Sequence, residues 1–233
     1  MTEQLFREDS YLRECDATVT AADGGHIELD RTVFYPTGGG QPGDTGTIRW
    51  DGGSVDVIDT RYGDAGSILH VVAEGAALPA VGTKVAARLD WDRRYLHMRM
   101  HTALHLVGSV LKYGVTGGNI SATRSRLDFD MEDTVDKEAV DSALAELVAG
   151  DHPVRMRWIT DEELDAQPDL VRTMSVQPPR GAGKVRLLEI VGVDLQPCGG
   201  THLKSTAEVG NVRVGKVEKK GKHNRRVSIV LED

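Results

Sequence analysis

The patterning of this chain changes once, at Asp90, and that change constrains its fold more than any other feature. Before it, short stretches alternate apolar with polar residues: DATVTA, HIELD, TVFYP, GTIRW, SVDVIDT and, last, VAARLD. Glycine and aspartate interrupt them at intervals of about ten residues. A period of two buries one side of a strand, and closely spaced turns return each strand to its neighbour. The expectation is a small barrel or sandwich of hairpins. After Asp90 the period lengthens. Leu96, Met100, Ala103, Leu104, Val107, Val110 and Leu111 recur at helical spacing, which predicts a helix over residues 91–113 stopped at Gly114. A second helix is predicted over 135–149, with Thr134 as N-cap and Gly150 past its end. A short acidic helix should begin near Asp161. Strands are predicted at SRLDFDM, VRMRWIT, VRLLEIV, EVGNVRVGKVE and RRVSIVLE, and GVDLQPCGGTH reads as a loop. The fold class is therefore α+β. A small β-barrel-like domain over residues 1–89 is followed, over 90–233, by a domain of helices laid on antiparallel sheet.

Two cysteines, Cys15 and Cys198, make no disulfide framework. The opening MTEQLFRED lacks the apolar core of a signal peptide, and no apolar run approaches the roughly 18 residues of a membrane helix. A cytoplasmic location without membrane attachment is expected. The net charge of −8 opposes nucleic-acid binding by the molecule as a whole. Residues 213–226, RVGKVEKKGKHNRR, run the other way, with seven Lys or Arg against one Glu. Such a run can be a solvated hairpin rim or a local dock for RNA.

Chemistry concentrates in two short segments. HTALH places His101 and His105 four apart on the long helix, so both imidazoles share one face about a turn apart. PCGGTH places Cys198 and His202 on a glycine-rich loop that can fold both donors toward one ion. Three nitrogens and one sulfur form a donor set that favours zinc. His97 lies a turn further back and reads as a packing or supporting residue. Thr102 stands where an H-E-x-x-H metalloprotease carries its general base, which excludes that class of peptidase.

The segment FYPTGGGQPGDTG contains Gly38, Gly40 and Gly43 in the spacing of a dinucleotide fingerprint. That fingerprint requires a helix directly after it. Pro42 and the strand-like GTIRW exclude one, so a hairpin loop is expected. Taken together, FYPTGGGQPGDTG, HMRMHTALHL and PCGGTH resemble the editing region of alanyl-tRNA synthetases and the free-standing AlaX trans-editing proteins. The resemblance spans nearly the whole chain. It implies that His101, His105, Cys198 and His202 are zinc ligands, and that Gly39, Gly40 and Gln41 form the family's glycine-rich element in an N-terminal β domain, a candidate surface for the substrate or tRNA end. It also implies a medium form of the family, which hydrolyses Ser-tRNA(Ala) and in some members Gly-tRNA(Ala).

On that reading the partner is the acceptor end of mischarged tRNA. Asn119 and Ser121 are pocket candidates for sensing the seryl hydroxyl, although an ordinary loop explains either one alone. Arg124, Arg126, Lys216, Lys219, Lys220, Lys222, Arg225 and Arg226 are candidates for phosphate contact. Two alternatives stand beside it: editing of another mischarged tRNA such as Ser-tRNA(Thr), and a non-catalytic zinc-stabilised RNA-binding module.

Overall fold

A computed structural model describes residues 1–174 and 183–232. The chain divides into two compact units, Met1–Tyr95 and Leu96–Asp233.

In the first unit the alternating stretches become strands. A short β1 (Glu3–Gln4) pairs in parallel with β4 (Arg31–Thr32). The others are β2 (Glu14–Asp23), β3 (His26–Leu29), β5 (Gly46–Trp50), β6 (Gly53–Tyr62), β7 (Ile68–Val72) and β8 (Lys84–Leu89). These six close into a barrel in the order β2-β3-β7-β6-β5-β8. Alternation supplies the inside: Val19, Ile27, Leu29, Ile48, Val57, Val85 and Ala87 are buried in one cluster with Phe34. The glycine segment turns here as a hairpin rather than opening a helix. Gly38 and Gln41 exchange both backbone hydrogen bonds, at 3.0 and 2.9 Å, around Gly39 and Gly40. Both tip residues have positive φ, 57° and 82°, which glycine adopts without strain.

The rest of that segment is a clamp. Asp44 is buried, and its carboxylate accepts from the Tyr35 amide at 2.6 Å and from Arg94 Nε at 3.0 and 3.1 Å. Arg94 is fully buried and also donates to the carbonyls of Ser10 (2.9 Å) and Val33 (2.7 Å). A buried guanidinium with a carboxylate and two carbonyls is a satisfied charge, and loss of the carboxylate would strand it. A Cβ on Gly43 would collide with the Thr60 carbonyl, which explains the bare position just before Asp44.

The helix α1 spans Trp91–Leu111, two residues short of the predicted stop, and Trp91–Tyr95 belong to the first unit. In the second unit follow β9 (Val115–Asn119), β10 (Arg124–Asp130), α2 (Lys137–Ala149), β11 (Val154–Ile159), α3 (Asp161–Asp165), β12 (Val185–Ile190), β13 (Asp194–Pro197), β14 (Val212–Gly221) and β15 (Asn224–Leu231). One sheet runs β14-β15-β10-β9 and the other β11-β12-β13, and every pair is antiparallel. Phe129, Val214, Val227 and Ile229 are buried in the first sheet, and α2 packs along β14. Two details differ from the sequence reading. The N-cap of α2 is Asp136, whose side chain accepts from the Ala139 amide at 3.1 Å, because the helix starts two residues later than Thr134 would require. The segment read wholly as a loop before Cys198 contains β13, paired to β12 through Leu187↔Pro197 and Leu188↔Gln196. No helix among the described residues is long and apolar enough to cross a membrane.

Candidate metal centre

Two scaffolds bring the donors together. Helix α1 stacks the His101 and His105 rings with centroids 5.2 Å apart, as a one-turn spacing requires. The end of β13 launches Cys198, and the Gly199–Gly200 loop carries His202 back to within 4.2 Å of His101 and 5.0 Å of His105, ring to ring. Cys198 Sγ lies 3.5 Å from His101 Nε2 and 3.1 Å from His202 Nε2. One donor atom from each of the four residues falls within 4.8 Å of all the others. Ligands at zinc distances on a tetrahedron stand roughly 3.5 Å apart, so this donor set fits a tetrahedral cation. The histidines are buried, His202 most deeply, and Cys198 is the least buried donor.

Burial and the mutual influence of the donors set how each of them ionises. Burial opposes ionisation of Cys198, but its imidazole neighbours His101 and His202 outweigh it and hold the thiol well below its ordinary value. Burial also opposes charge on His105, but Asp194 and Cys198 overcome it and lift the imidazole to about 9. Burial pushes His202 well below its ordinary value. A thiolate among imidazoles is what a soft divalent cation requires, and binding would release the protons held by the cluster.

Around the donors stands a ring of supporting groups. Thr102 is fully buried; its Oγ1 lies 3.3 Å from His202 Nδ1 and accepts from the Leu203 amide at 3.3 Å. The residue that fills the missing glutamate position therefore orients a donor. Arg186 Nη1 donates to the carbonyls of Cys198 (3.0 Å) and Gly200 (2.7 Å), and the Cys198 amide donates back to the Arg186 carbonyl at 3.1 Å. Asp194 Oδ2 lies 3.7 Å from His105 Nδ1, and Asp194 Oδ1 lies 2.9 Å from Arg172 Nη2. Sequence reading missed Asp194, Arg172 and Arg186. The available signal was a charge placed inside an apolar run, Arg186 between Val185 and Leu187 and Asp194 between Val193 and Leu195. His97 is buried one turn behind His101 and lies outside the four-donor cluster.

The other sequence candidates separate. Gly39 and Gly40 form an exposed turn tip, whereas Gln41 is fully buried. Asn119 is exposed at the end of β9. The Ser121 hydroxyl donates to the Arg124 carbonyl at 2.8 Å and accepts from the Arg124 amide at 3.2 Å, locking the β9–β10 turn. Arg225 is buried, and its guanidinium donates to the carbonyls of Asp133, Glu132, Gly221, Lys222 and Asn224. Arg126 and Arg226 share Asp128, at 2.6 and 2.8 Å, and Lys216 and Lys220 share Glu218, at 3.0 and 3.2 Å. Arg124, Lys219 and Lys222 are exposed, and among the described residues none of them has an ion pair.

Comparison with known proteins agrees with this layout. Residues 185–228 match the family described as the threonyl and alanyl tRNA synthetase second additional domain, and residues 6–93 match class II (A) tRNA synthetases. The alanyl-tRNA editing protein AlaX-M of Methanosarcina mazei is 38% identical over 100% of this chain and 98% of its own length. The chain belongs to the AlaX-M family. The AlaX-M protein of Saccharolobus solfataricus is 37% identical over 97% of the chain and 98% of its own length. An alanine–tRNA ligase of Pyrobaculum neutrophilum is 36% identical over 94% of the chain, which corresponds to only 25% of the ligase. Membership of the AlaX-M family gives the four-donor cluster its context: its two sequence segments are among those that carried the family resemblance.

Proposed function

We propose that this chain is a zinc-dependent trans-editing hydrolase that cleaves the ester joining a wrong amino acid to tRNA(Ala). Serine is the chief target and glycine a second one. The observation that carries the reading is the convergence of His101, His105, Cys198 and His202 in a chain of the AlaX-M family. The three imidazoles and the thiolate would hold the zinc, which when bound supplies Lewis-acid polarisation of an ester carbonyl or of water. The chain's own groups do the rest. Thr102 orients His202, Arg186 fixes the loop that presents Cys198, and burial of the histidines keeps bulk water from competing for the donors. Asn119 is assigned to the seryl hydroxyl, since its side chain is exposed while that of Ser121 is engaged in its own turn. A site that hydrogen-bonds a substrate hydroxyl rejects an analogue that puts a methyl group against the polar partner, which separates serine from alanine, whereas glycine, with no side chain, leaves room for a water in the hydroxyl's place. Lys219, Lys222 and Arg124 would meet the phosphates near the acceptor end.

The test is deacylation of Ser-tRNA(Ala), Gly-tRNA(Ala), Ala-tRNA(Ala) and Ser-tRNA(Thr), with and without a chelator. Loss of Ser-tRNA(Ala) that the chelator abolishes, with Ala-tRNA(Ala) spared, supports the proposal. Preferential loss of Ser-tRNA(Thr) would move the substrate, as the shared threonyl and alanyl domain description allows. Survival of every substrate would leave only an RNA-binding module.

A further inference from the structure

The His105 Nδ1 atom is buried and has no hydrogen-bond partner among the described residues. Among the described residues the carboxylate ion-paired with its ring is Asp194, at 3.7 Å, and the Asp194 side chain is itself 1% exposed. Burying a carboxylate beside a histidine in an otherwise apolar stretch is costly unless the carboxylate has a task and a counter-charge. The counter-charge is Arg172, 2.9 Å from the other carboxylate oxygen, and Gln196 donates to Asp194 Oδ2 as well. Asp194 is thus held from two sides, with Oδ2 directed toward His105.

We infer that Asp194 is a positioning residue for the metal centre. It accepts the Nδ1 proton of His105, fixes the tautomer that leaves Nε2 free to bind the cation, and is itself kept in place by Arg172. An imidazole that coordinates through Nε2 must carry its proton on Nδ1, and a buried N–H needs an acceptor. A movement of under about one ångström brings the 3.7 Å separation into hydrogen-bond range. Carboxylates placed behind ligating histidines orient the ring and raise its basicity, and their removal commonly costs ten- to hundredfold in metal affinity. The position of Asp194, four residues before Cys198 on the strand that launches the loop, lets one short strand supply a ligand and the support of a ligand on α1.

The inference rests on the zinc reading of the four donors, and the experiment separates the two. Zinc affinity of the purified full chain is measured by competition with a chromophoric chelator. Stoichiometric zinc is expected for the wild-type protein. Asp194→Asn should weaken zinc binding by roughly ten- to hundredfold. Arg172→Met should weaken it less, and Glu189→Gln, a carboxylate on the neighbouring strand paired with Arg157 at 3.3 Å, should leave it unchanged. Because Asp194 acts through His105, Asp194→Asn should cost little more in a His105→Gln background, whereas a merely structural loss would add in full. Urea unfolding of the metal-free variants checks that each one folds. Wild-type affinity in Asp194→Asn, or full additivity with His105→Gln, would overturn the positioning role while the zinc site stood. Absence of zinc from the wild-type protein would overturn the metal assignment and this inference together.

Discussion

Acid should unlock the barrel through one histidine. His70 on β7 is fully buried, with Nε2 2.7 Å from Thr32 Oγ1, Nδ1 2.9 Å from the Ile27 carbonyl and the Phe34 ring edge-on at 5.2 Å. A carbonyl can only accept, so Nδ1 carries the proton and Nε2 accepts from the threonine hydroxyl: the neutral ring satisfies both contacts. Burial depresses its pKa to about 4, against 6.5 for an unrestrained histidine. Between those values the unfolded chain binds a proton that the folded chain refuses. The stabilisation is therefore complete above pH 6.5 and is lost as pH falls toward 4. A gap of about 2.5 units corresponds to about 3 kcal/mol in full, and to about 2 kcal/mol of it by pH 5. The assay is urea unfolding of the wild type and of His70→Gln at pH 7.5 and pH 5, with hydrogen exchange of β3 and β7 peptides reporting the barrel alone. The variant should be less stable at pH 7.5, yet lose about 2 kcal/mol less than the wild type on acidification. Parallel losses in the two proteins would refute the argument.

Asp44→Ala should destabilise the barrel unit by about 3–5 kcal/mol, because it leaves Arg94 buried without its carboxylate. Urea unfolding reads the loss, and a cost under about 1 kcal/mol would contradict the clamp. Arg225→Met should lower stability and leave the salt dependence of tRNA binding alone, since its donors are committed to carbonyls. Lys219→Ala with Lys222→Ala should do the reverse, reducing the slope of log affinity against log salt by roughly one per lysine. Filter-binding titrations across salt concentrations distinguish the two cases.

What could be read from the sequence follows the strength of each local signal. Helix α1 was legible because its apolar residues repeat at helical spacing from Leu96 to Leu111, about four turns, and the same regularity exposed the His101–His105 pair. The barrel was legible because its inward residues alternate without exception along β8 and most of β2. Strand β13 was not. Its residues Asp194, Gln196 and Pro197 break the apolar pattern, because Asp194 faces His105 and Gln196 bonds to Asp194 instead of filling a core. Strand β9 hid behind Gly117 and Gly118 for a similar reason, since glycine carries no periodic signal. The basic run shows the limit of counting charges. Arg225 and Arg226 are adjacent and identical in sequence, yet one caps a hairpin from beneath and the other pairs with Asp128 at the surface. Only long-range contacts tell them apart. The same holds for Arg186 and Arg172, whose partners lie 14 and 22 residues away in the chain.

The closed barrel has a consequence for how this chain tolerates change. An open sheet can absorb an extra residue by letting its outermost strand slide. A ring of six strands has no outermost strand, and its stagger must sum to a fixed value around the circle. One residue inserted within any of the six would turn that strand's interior side chains outward beyond the insertion, unless a bulge took it up, as the register shifts at Val19/Ala21 of β2 and Val57/Asp59 of β6 do. Additions of length are therefore confined to such bulges and to the connections, such as the stretch between β7 and β8, where the circuit is never counted.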